Sequence, residues 1–261
     1  MIRLVATDMD GTFLRKDGTY DRQRLEKLLT AFGDDIIFTV ASGRALIAVD
    51  KLFEGFVDRL AIIAENGGVV QYKGDILFEQ VMPKADYLAI VDLLESLGDC
   101  AGYLLSGRQG SYAPLDASQD YLDHMERYYE NVQRCDLTEV EDDIFKVTCQ
   151  FTVETVAARE EWLNSKLDGK TAVTTGFDAM DIIYSDLHKA TGLKALAQQL
   201  EISPEEMIGF GDNLNDYEML DFVGTAIATE NARQEIKAIS NQVIGHCDDE
   251  AVMTYLEGLV K

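Results

Sequence analysis

LVATDMDGTFL, residues 4–14, is an apolar strand pattern that ends in two carboxylates, Asp8 and Asp10, before a turn at Gly11. Side chains at positions i and i+2 of a strand point to the same side, so Asp8 and Asp10 would lie together at the carboxyl end of this strand. Two like charges at that spacing repel each other, and a bound divalent cation would offset the repulsion. Oxygen ligands with no histidine nearby favour Mg²⁺. At this point a simple turn before Gly11 explains the two acids equally well.

Length and composition limit the class of protein. The chain has 261 residues, which is enough to bury a substantial core, and its 47% hydrophobic and 27% charged residues are typical of globular proteins. No apolar run approaches the roughly 20 residues that span a bilayer, and the chain enters a strand pattern without a leader-like segment, so we expect a cytoplasmic protein. The cysteines show no C-x-x-C spacing, which favours reduced thiols over a disulfide framework or structural zinc.

The charge of the chain limits its partners. Formal net charge is −24, with no cluster of lysine and arginine, so nucleic acid and anionic membrane surfaces are not expected as partners. If the substrate is also an anion, a metal ion or a few well-placed cations must overcome the background repulsion. The oligomeric state is left open.

The order of apolar runs predicts an α/β fold with a Rossmann-like, mainly parallel sheet. Short apolar runs alternate with stretches of helical length, first at 2–7, 36–41 and 60–64 and again at 207–211, 223–228 and 242–245. The middle of the chain differs, with a hairpin pattern at 69–80 and strand patterns mixed with helices at 101–106, 144–153, 171–175 and 179–184. We therefore predict a discontinuous core, residues 1–80 and 186–261, interrupted by an α+β insert at 81–185.

A second candidate site segment is TVASGR, residues 39–44, at the end of the second predicted strand. Ser42 offers a hydroxyl, and Gly43 allows the backbone to approach an anion closely. A helix beginning near Ala45 would direct its first amides toward a phosphate. Taken alone, the segment is more often an ordinary turn between a strand and a helix than a phosphate site.

A third segment, GDNLNDYEML at 211–220, follows the strand pattern MIGFG and places Asp212, Asn215 and Asp216 at another strand end. Helix capping explains any one of these residues, but not their concentration at a second strand end. Lys189 begins a segment with apolar residues at helical spacing, 189–200. A lone lysine there is normally solvated, whereas near a phosphoryl group it would balance charge.

Taken together, the segments D8-M-D-G-T12, S42-G-R44, K189 and G211-D-N-L-N-D216 occur in this order over nearly the whole chain. In this respect the chain resembles the haloacid dehalogenase-like phosphatases, and the insert looks like the cap domain of the Cof-type subgroup. That subgroup mostly hydrolyses sugar phosphates and related small phosphate esters. One departure is Ala190 after Lys189, where the family usually has glycine.

The resemblance implies a role for each matching residue. Asp8 would be the nucleophile that forms an aspartyl-phosphate, and Asp10 the general acid and base. Asp8, the backbone carbonyl of Asp10, and Asp212 would hold Mg²⁺. The remaining residues would bind the phosphoryl group or support the site: Met9 and Gly43 through their amides, and Ser42, Lys189, Asn215, Thr12 (orienting Asp10), Arg44 (contacting substrate) and Asp216 (supporting Lys189 or a metal-bound water).

The expected substrate is a small phosphorylated metabolite, whose identity the sequence does not give. Three alternatives stay open. A phosphomutase would share the aspartyl-phosphate but return the phosphoryl group to the substrate. A receiver-like signalling module would combine similar residues in about half this length. A phosphate-ligand sensor would keep the fold without turnover.

Overall fold

The computed structural model describes residues 1–175 and 178–260, and within them the chain forms two compact units. The first unit comprises residues 1–43, 53–79 and 188–260, and the second comprises residues 44–52 and 80–187. The segment 44–52, which the sequence places in the core, therefore belongs to the second unit. There the Lys51 ammonium forms an ion pair with Glu130 of the same unit at 2.8 Å.

The strands, in chain order, are β1 (Leu4–Asp8), β2 (Ile37–Ala41), β3 (Ala61–Ala64), β4 (Val69–Tyr72), β5 (Asp75–Glu79), β6 (Gly102–Gly107), β7 (Ser111–Pro114), β8 (Val132–Cys135), β9 (Ile144–Gln150), β10 (Lys170–Thr174), β11 (Ala179–Tyr184), β12 (Met207–Gly211), β13 (Thr225–Ala228) and β14 (Gln242–Val243). The α-helices are α1 (Arg22–Phe32), α2 (Leu46–Leu52), α3 (Lys84–Glu95), α4 (Gln119–Met125), α5 (Val156–Asn164), α6 (Lys189–Leu200), α7 (Tyr217–Phe222), α8 (Gln234–Ile239) and α9 (Ala251–Leu259). No helix among residues 1–175 and 178–260 is both long and apolar enough to cross a membrane.

The first unit is built on an eight-stranded sheet in the order β14-β13-β12-β1-β2-β3-β4-β5. The six strands from β14 to β3 are parallel, and β4 and β5 add an antiparallel hairpin at one edge, as the sequence predicts. Helix α6 packs its buried residues Leu193, Leu196 and Ala197 into the same apolar cluster as Ile63 of β3 and Val70 of β4. The parallel α/β architecture expected from the alternating apolar runs is thus confirmed.

The second unit contains a six-stranded sheet in the order β10-β11-β9-β6-β7-β8. All of its neighbouring strands pair antiparallel except β7 and β8, which are parallel. Helices α3 and α5 bury their apolar residues in one cluster with the sheet, whereas α4 belongs to a smaller cluster with Leu104 and Ala113. This α+β unit is the predicted insert, although the sequence patterns did not reveal β7 and β8.

Candidate active site

Three loops of the first unit begin at one edge of its sheet. Strand β1 lies between β12 and β2, so the strand order changes direction beside it. Asp8 is the last residue of β1, Ser42 follows β2 and Asp212 follows β12. In the sheet, Thr7 of β1 is paired with Phe210 of β12, and Asp8 is paired with Ala41 of β2. The three loops therefore leave the sheet at the same level. Such a switch point, beyond the carboxyl ends of parallel strands, is where open α/β sheets bind ligands.

Lys189 is held between two carboxylates. Its Nζ lies 2.5 Å from Asp8 Oδ1 and 2.6 Å from Asp216 Oδ1, and the residue is 1% exposed. Lys189 reaches this position because α6 begins there, after His188 caps the helix by accepting a hydrogen bond from the amide of Thr191 at 3.1 Å. The lysine is therefore not a solvated helix residue.

Asp216 organises the loop after β12 as well as the lysine. Its Oδ2 accepts hydrogen bonds from the amides of Asp212, at 2.9 Å, and Asn213, at 3.0 Å. A Cβ on Gly211 would lie 2.6 Å from the Cβ of Asp216, so only glycine lets this loop close so tightly. With both oxygens engaged, Asp216 serves as a structural anchor for Lys189 and Asp212.

Thr12 and Gly11 contact Asp212, not Asp10. Thr12 Oγ1 donates a hydrogen bond to Asp212 Oδ1 at 3.0 Å, whereas the resemblance implied that Thr12 orients Asp10. The reason is the turn at Gly11, whose φ of +87° carries Thr12 back toward the loop after β12. A Cβ at Gly11 would lie 2.5 Å from Asp212 Oδ2. The loop after β1 and the carboxylate after β12 therefore pack directly against each other.

The electrostatics of the site follow from burial and from crowding of acids. Burial and the nearby charge of Asp216 raise the pKa of Asp8, although Lys189 opposes this. Burial and Asp216 also raise the pKa of Asp212 to about 6, against the hydrogen bond from Thr12. Burial alone would lower the pKa of Lys189, but Asp216 and Asp8 more than offset it and raise that pKa above its ordinary value. The lysine stays charged, and the carboxylates carry more negative charge than it neutralises.

The carboxylates fit a divalent cation. Asp8, Asp212 and Asp216 each offer an oxygen, and these atoms all lie within 4.8 Å of one another. Asp8 Oδ2 is buried and accepts no hydrogen bond from any residue in the described part of the chain. Because Asp216 is already engaged by Lys189 and by backbone amides, Asp8 and Asp212 are the available ligands. An oxygen-only set of this kind suits a hard ion such as Mg²⁺.

The other residues named from the sequence differ in their surroundings. Ser42 is buried, and its amide donates to the carbonyl of Ile63 at 2.8 Å. A Cβ on Gly43 would lie 2.7 Å from Asn66 Oδ1, so any side chain at position 43 would collide with Asn66. Met9 is fully buried, and its carbonyl accepts a hydrogen bond from Leu14 at 2.8 Å.

Three of the named residues are more accessible. Asp10 is exposed and forms an isolated bridge with Leu14. Asn215 is exposed at the surface of the loop after β12. Arg44 is partly exposed and begins the part of the second unit at 44–52.

One contact of the site was missed from the sequence. The side chains of Thr229 and Asn231 donate hydrogen bonds to the Gly11 carbonyl, at 3.4 and 2.7 Å. Both residues follow β13, another parallel strand that ends at the same edge of the sheet. The rule that polar residues after such strands gather at one edge would have identified them.

The fold and the site together define a class of protein. Residues 5–256 match the sequence profile of the haloacid dehalogenase-like hydrolases. The chain belongs to this family, as the four sequence segments indicate.

Individual relatives are similar over their full length. The Escherichia coli (strain K12) protein named 5-amino-6-(5-phospho-D-ribitylamino)uracil phosphatase YbjI is 29% identical over 263 residues, covering 100% of this chain and 97% of its own. The Bacillus subtilis (strain 168) protein of the same enzyme name, YitU, is 24% identical, with 97% and 96% covered. The crystal structure of SMU.1108c from Streptococcus mutans UA159 superposes with a TM-score of 0.90 at 26% identity, covering 100% and 99% of the two chains.

Proposed function

We propose that the chain is a Mg²⁺-dependent phosphatase that hydrolyses monoesters of small, hydroxyl-rich metabolites, such as sugar or sugar-alcohol phosphates, through an aspartyl-phosphate. The observation that carries the proposal is the pairing of Lys189 with Asp8 at 2.5 Å, beside the unpartnered Oδ2 of Asp8 and the carboxylate of Asp212. The full-length relatives named as phosphatases of a phosphorylated ribityl compound support this substrate class.

In the first step, a carboxylate oxygen of Asp8 attacks phosphorus and the ester oxygen leaves. Asp10 gives its proton to that oxygen, so the alcohol departs neutral. In the second step, Asp10 takes a proton from water as the water oxygen attacks the phosphorus of the aspartyl-phosphate. Inorganic phosphate is released, and Asp8 regains its carboxylate. The spacing of Asp8 and Asp10, two residues apart at a strand end, supports this division of roles.

Asp8, the backbone carbonyl of Asp10, and Asp212 would hold the ion. When bound, Mg²⁺ supplies positive charge that neutralises the nucleophile and the phosphoryl oxygens. Thr12 fixes the Asp212 carboxylate through its hydrogen bond of 3.0 Å. Asp216 holds the ammonium of Lys189 in place through a hydrogen bond of 2.6 Å.

The phosphoryl oxygens need donors at fixed positions. Lys189 supplies one charged donor from the interior of the unit, where the dielectric is low and its charge acts strongly. Ser42 and the amides of Met9 and Gly43 supply neutral donors from the loops after β1 and β2. Two more accessible residues complete the assignment, with Asn215 as a further phosphoryl donor and Arg44 as a contact to the rest of the substrate.

The test is release of inorganic phosphate from p-nitrophenyl phosphate and from a panel of sugar and sugar-alcohol phosphates. We expect activity with Mg²⁺, none with EDTA, and loss of at least about 10³-fold in Asp8→Asn, because the nucleophile is removed. Asp34→Asn is the matched control, since that side chain is 96% exposed. A folded Asp8→Asn protein with full activity would falsify the covalent route. Formation of an isomer without phosphate release would instead identify a phosphomutase.

The metal assignment has its own test. Asp10→Asn should be nearly inactive yet bind Mg²⁺ with little change, because the proposed ligand there is a backbone carbonyl. Asp212→Asn should lose about 10- to 100-fold in Mg²⁺ affinity, measured by isothermal titration calorimetry. Equal losses of Mg²⁺ affinity in the two variants would contradict the assignment of Asp10.

A further inference from the structure

The segment Thr229–Arg233, after β13, connects the two loops that carry the acidic residues. The amide of Arg233 donates a hydrogen bond to the carbonyl of Asp212 at 2.9 Å. From the same segment, Asn231 Nδ2 donates to the carbonyl of Gly11 at 2.7 Å, and Thr229 Oγ1 reaches the same carbonyl at 3.4 Å. One short segment therefore fixes the backbone on both sides of the site.

Asn231 is anchored at both ends of its amide group. While Nδ2 donates to Gly11, Oδ1 accepts a hydrogen bond from the amide of Cys247 at 3.1 Å. Cys247 is fully buried, so the second anchor is part of the packed interior. A side chain that must donate to one backbone group and accept from another needs both an N–H and a carbonyl oxygen, which the asparagine amide provides.

The carbonyl of Gly11 belongs to the same planar peptide as the amide of Thr12. Holding that carbonyl fixes the orientation in which Thr12 leaves the turn, and Thr12 in turn donates to Asp212 Oδ1 at 3.0 Å. Asp10 directly precedes Gly11, so its backbone is one residue away from the held carbonyl. Gly11 has a φ of +87° and no side chain, so its own conformation imposes little restraint on the turn.

We propose that Asn231 is a positioning residue for the hydrolase reaction, which holds the Gly11 peptide so that Asp10 and the Asp212 carboxylate keep their working positions. This inference rests on the proposed function, because Asp10 and Asp212 have roles only in that reaction. In this proposal Asn231 acts through the Gly11 peptide and not by contact with the substrate or the ion.

The experiment compares Asn231→Ala with Asn241→Ala in the full chain. Asn241 also accepts a hydrogen bond from a strand amide, that of Ala226 at 2.7 Å, but has no contact with Gly11, so it controls for a general loss of stability. For Asn231→Ala we expect kcat for p-nitrophenyl phosphate to fall about 10- to 100-fold at saturating Mg²⁺, and the Mg²⁺ dissociation constant from calorimetry to rise about tenfold. The substrate KM should stay within about twofold, because no substrate contact is removed. Thr229→Val, which keeps the buried volume and removes only the 3.4 Å bond, should change the same quantities in the same direction by less.

Several results would overturn the proposal. They are unchanged kcat and Mg²⁺ affinity in Asn231→Ala, a rise in KM at constant kcat, or equal losses of activity in Asn231→Ala and Asn241→Ala. If Asn231→Ala does not fold, Asn231→Ser and Thr229→Val decide, and wild-type values for both variants reject the role. A wild-type chain without phosphatase activity would instead reject the proposed function, so the two failures are distinguishable.

Discussion

Replacing Lys189 with methionine tests the charge arrangement on which the site depends. The ammonium forms ion pairs with Asp8 and Asp216 whose side chains are 8% and 0% exposed. Removing one member of a buried ion pair costs about 3–5 kcal/mol, because the remaining charge stays buried without a partner. A lysine in the first turn of a helix is mildly unfavourable, by about 0.3–1 kcal/mol, because its positive charge faces the positive end of the helix dipole. Removing Lys189 therefore regains about that much stability, which partly offsets the loss of the ion pairs. We expect Lys189→Met to lower the free energy of unfolding by about 3–4 kcal/mol at pH 7 in EDTA.

The loss should depend on pH in a defined direction. Lys189 opposes the burial that raises the pKa of Asp8, so without it that pKa rises further. A carboxyl whose pKa is higher in the folded than in the unfolded chain loses stability as pH rises, and the loss is complete above the folded-state value. The deficit of the variant should therefore shrink as pH falls, because protonation of Asp8 removes the buried charge that Lys189 no longer balances.

The assay is urea unfolding followed by circular dichroism, with phosphate release measured in parallel. Lys194→Met is the matched control, because Lys194 lies on the same helix but is exposed and only stacks over the Phe222 ring at 5.2 Å. This control should lose at most about 1 kcal/mol and keep its activity. Catalysis by Lys189→Met should fall about 10²- to 10³-fold at saturating Mg²⁺, since a charged donor to the phosphoryl group is gone. A variant within 1 kcal/mol of wild type that still turns over normally would refute this reasoning.

Two further perturbations address Gly11 and Asp212. Gly11→Ala places a methyl group 2.5 Å from Asp212 Oδ2 at a φ of +87°, whereas Gly18→Ala, at a φ of +77°, meets no atom within 4 Å. Both variants should lose about 1 kcal/mol of stability from backbone strain. Only Gly11→Ala should also weaken Mg²⁺ binding in calorimetry. Equal losses of Mg²⁺ affinity in the two variants would contradict the packing of Gly11 against Asp212. In EDTA, the native pKa of Asp212 of about 6 exceeds its unfolded value, so stability should fall from pH 4 to pH 6.5, by at most about 3 kcal/mol from this group. Mg²⁺ should stabilise the protein more at pH 7 than at pH 5 in thermal unfolding, because protons compete for the same oxygens, and a gain independent of pH would exclude this linkage.

The sequence predicted that the polar residues of the site gather at one edge of the sheet, because one geometric rule covers them. Asp8, Ser42 and Asp212 each follow an apolar run, and parallel strands end at a common edge, so their proximity follows from topology alone. Lys189 was harder, since a lysine at a helix start is normally solvated. Only the match to the family pattern indicated that Lys189 faces the site, and in the structure its ammonium is buried between Asp8 and Asp216.

What the sequence did not predict depends on contacts that lie far apart in the chain. The resemblance implied that Thr12 orients Asp10, but it did not indicate the hydrogen bond to Asp212, which the left-handed turn at Gly11 brings about. Strands β7 and β8 have four residues each, too few to establish an alternating pattern, and β7 ends in Pro114. The place of segment 44–52 in the second unit likewise involves residues far away in sequence, such as Glu130, which pairs with Lys51.

The central position of β1 has a consequence for how the protein is made. One neighbour of this strand, β2, is synthesised about thirty residues later, but the other, β12, begins at Met207. A nascent chain on the ribosome therefore carries an apolar, half-paired strand until β12, about 200 residues further along, has emerged. Pairing over such a sequence distance is slow, and an open strand edge invites association with other chains. Co-translational chaperones that cover this edge should matter more for the yield of the protein than for the stability of its finished fold.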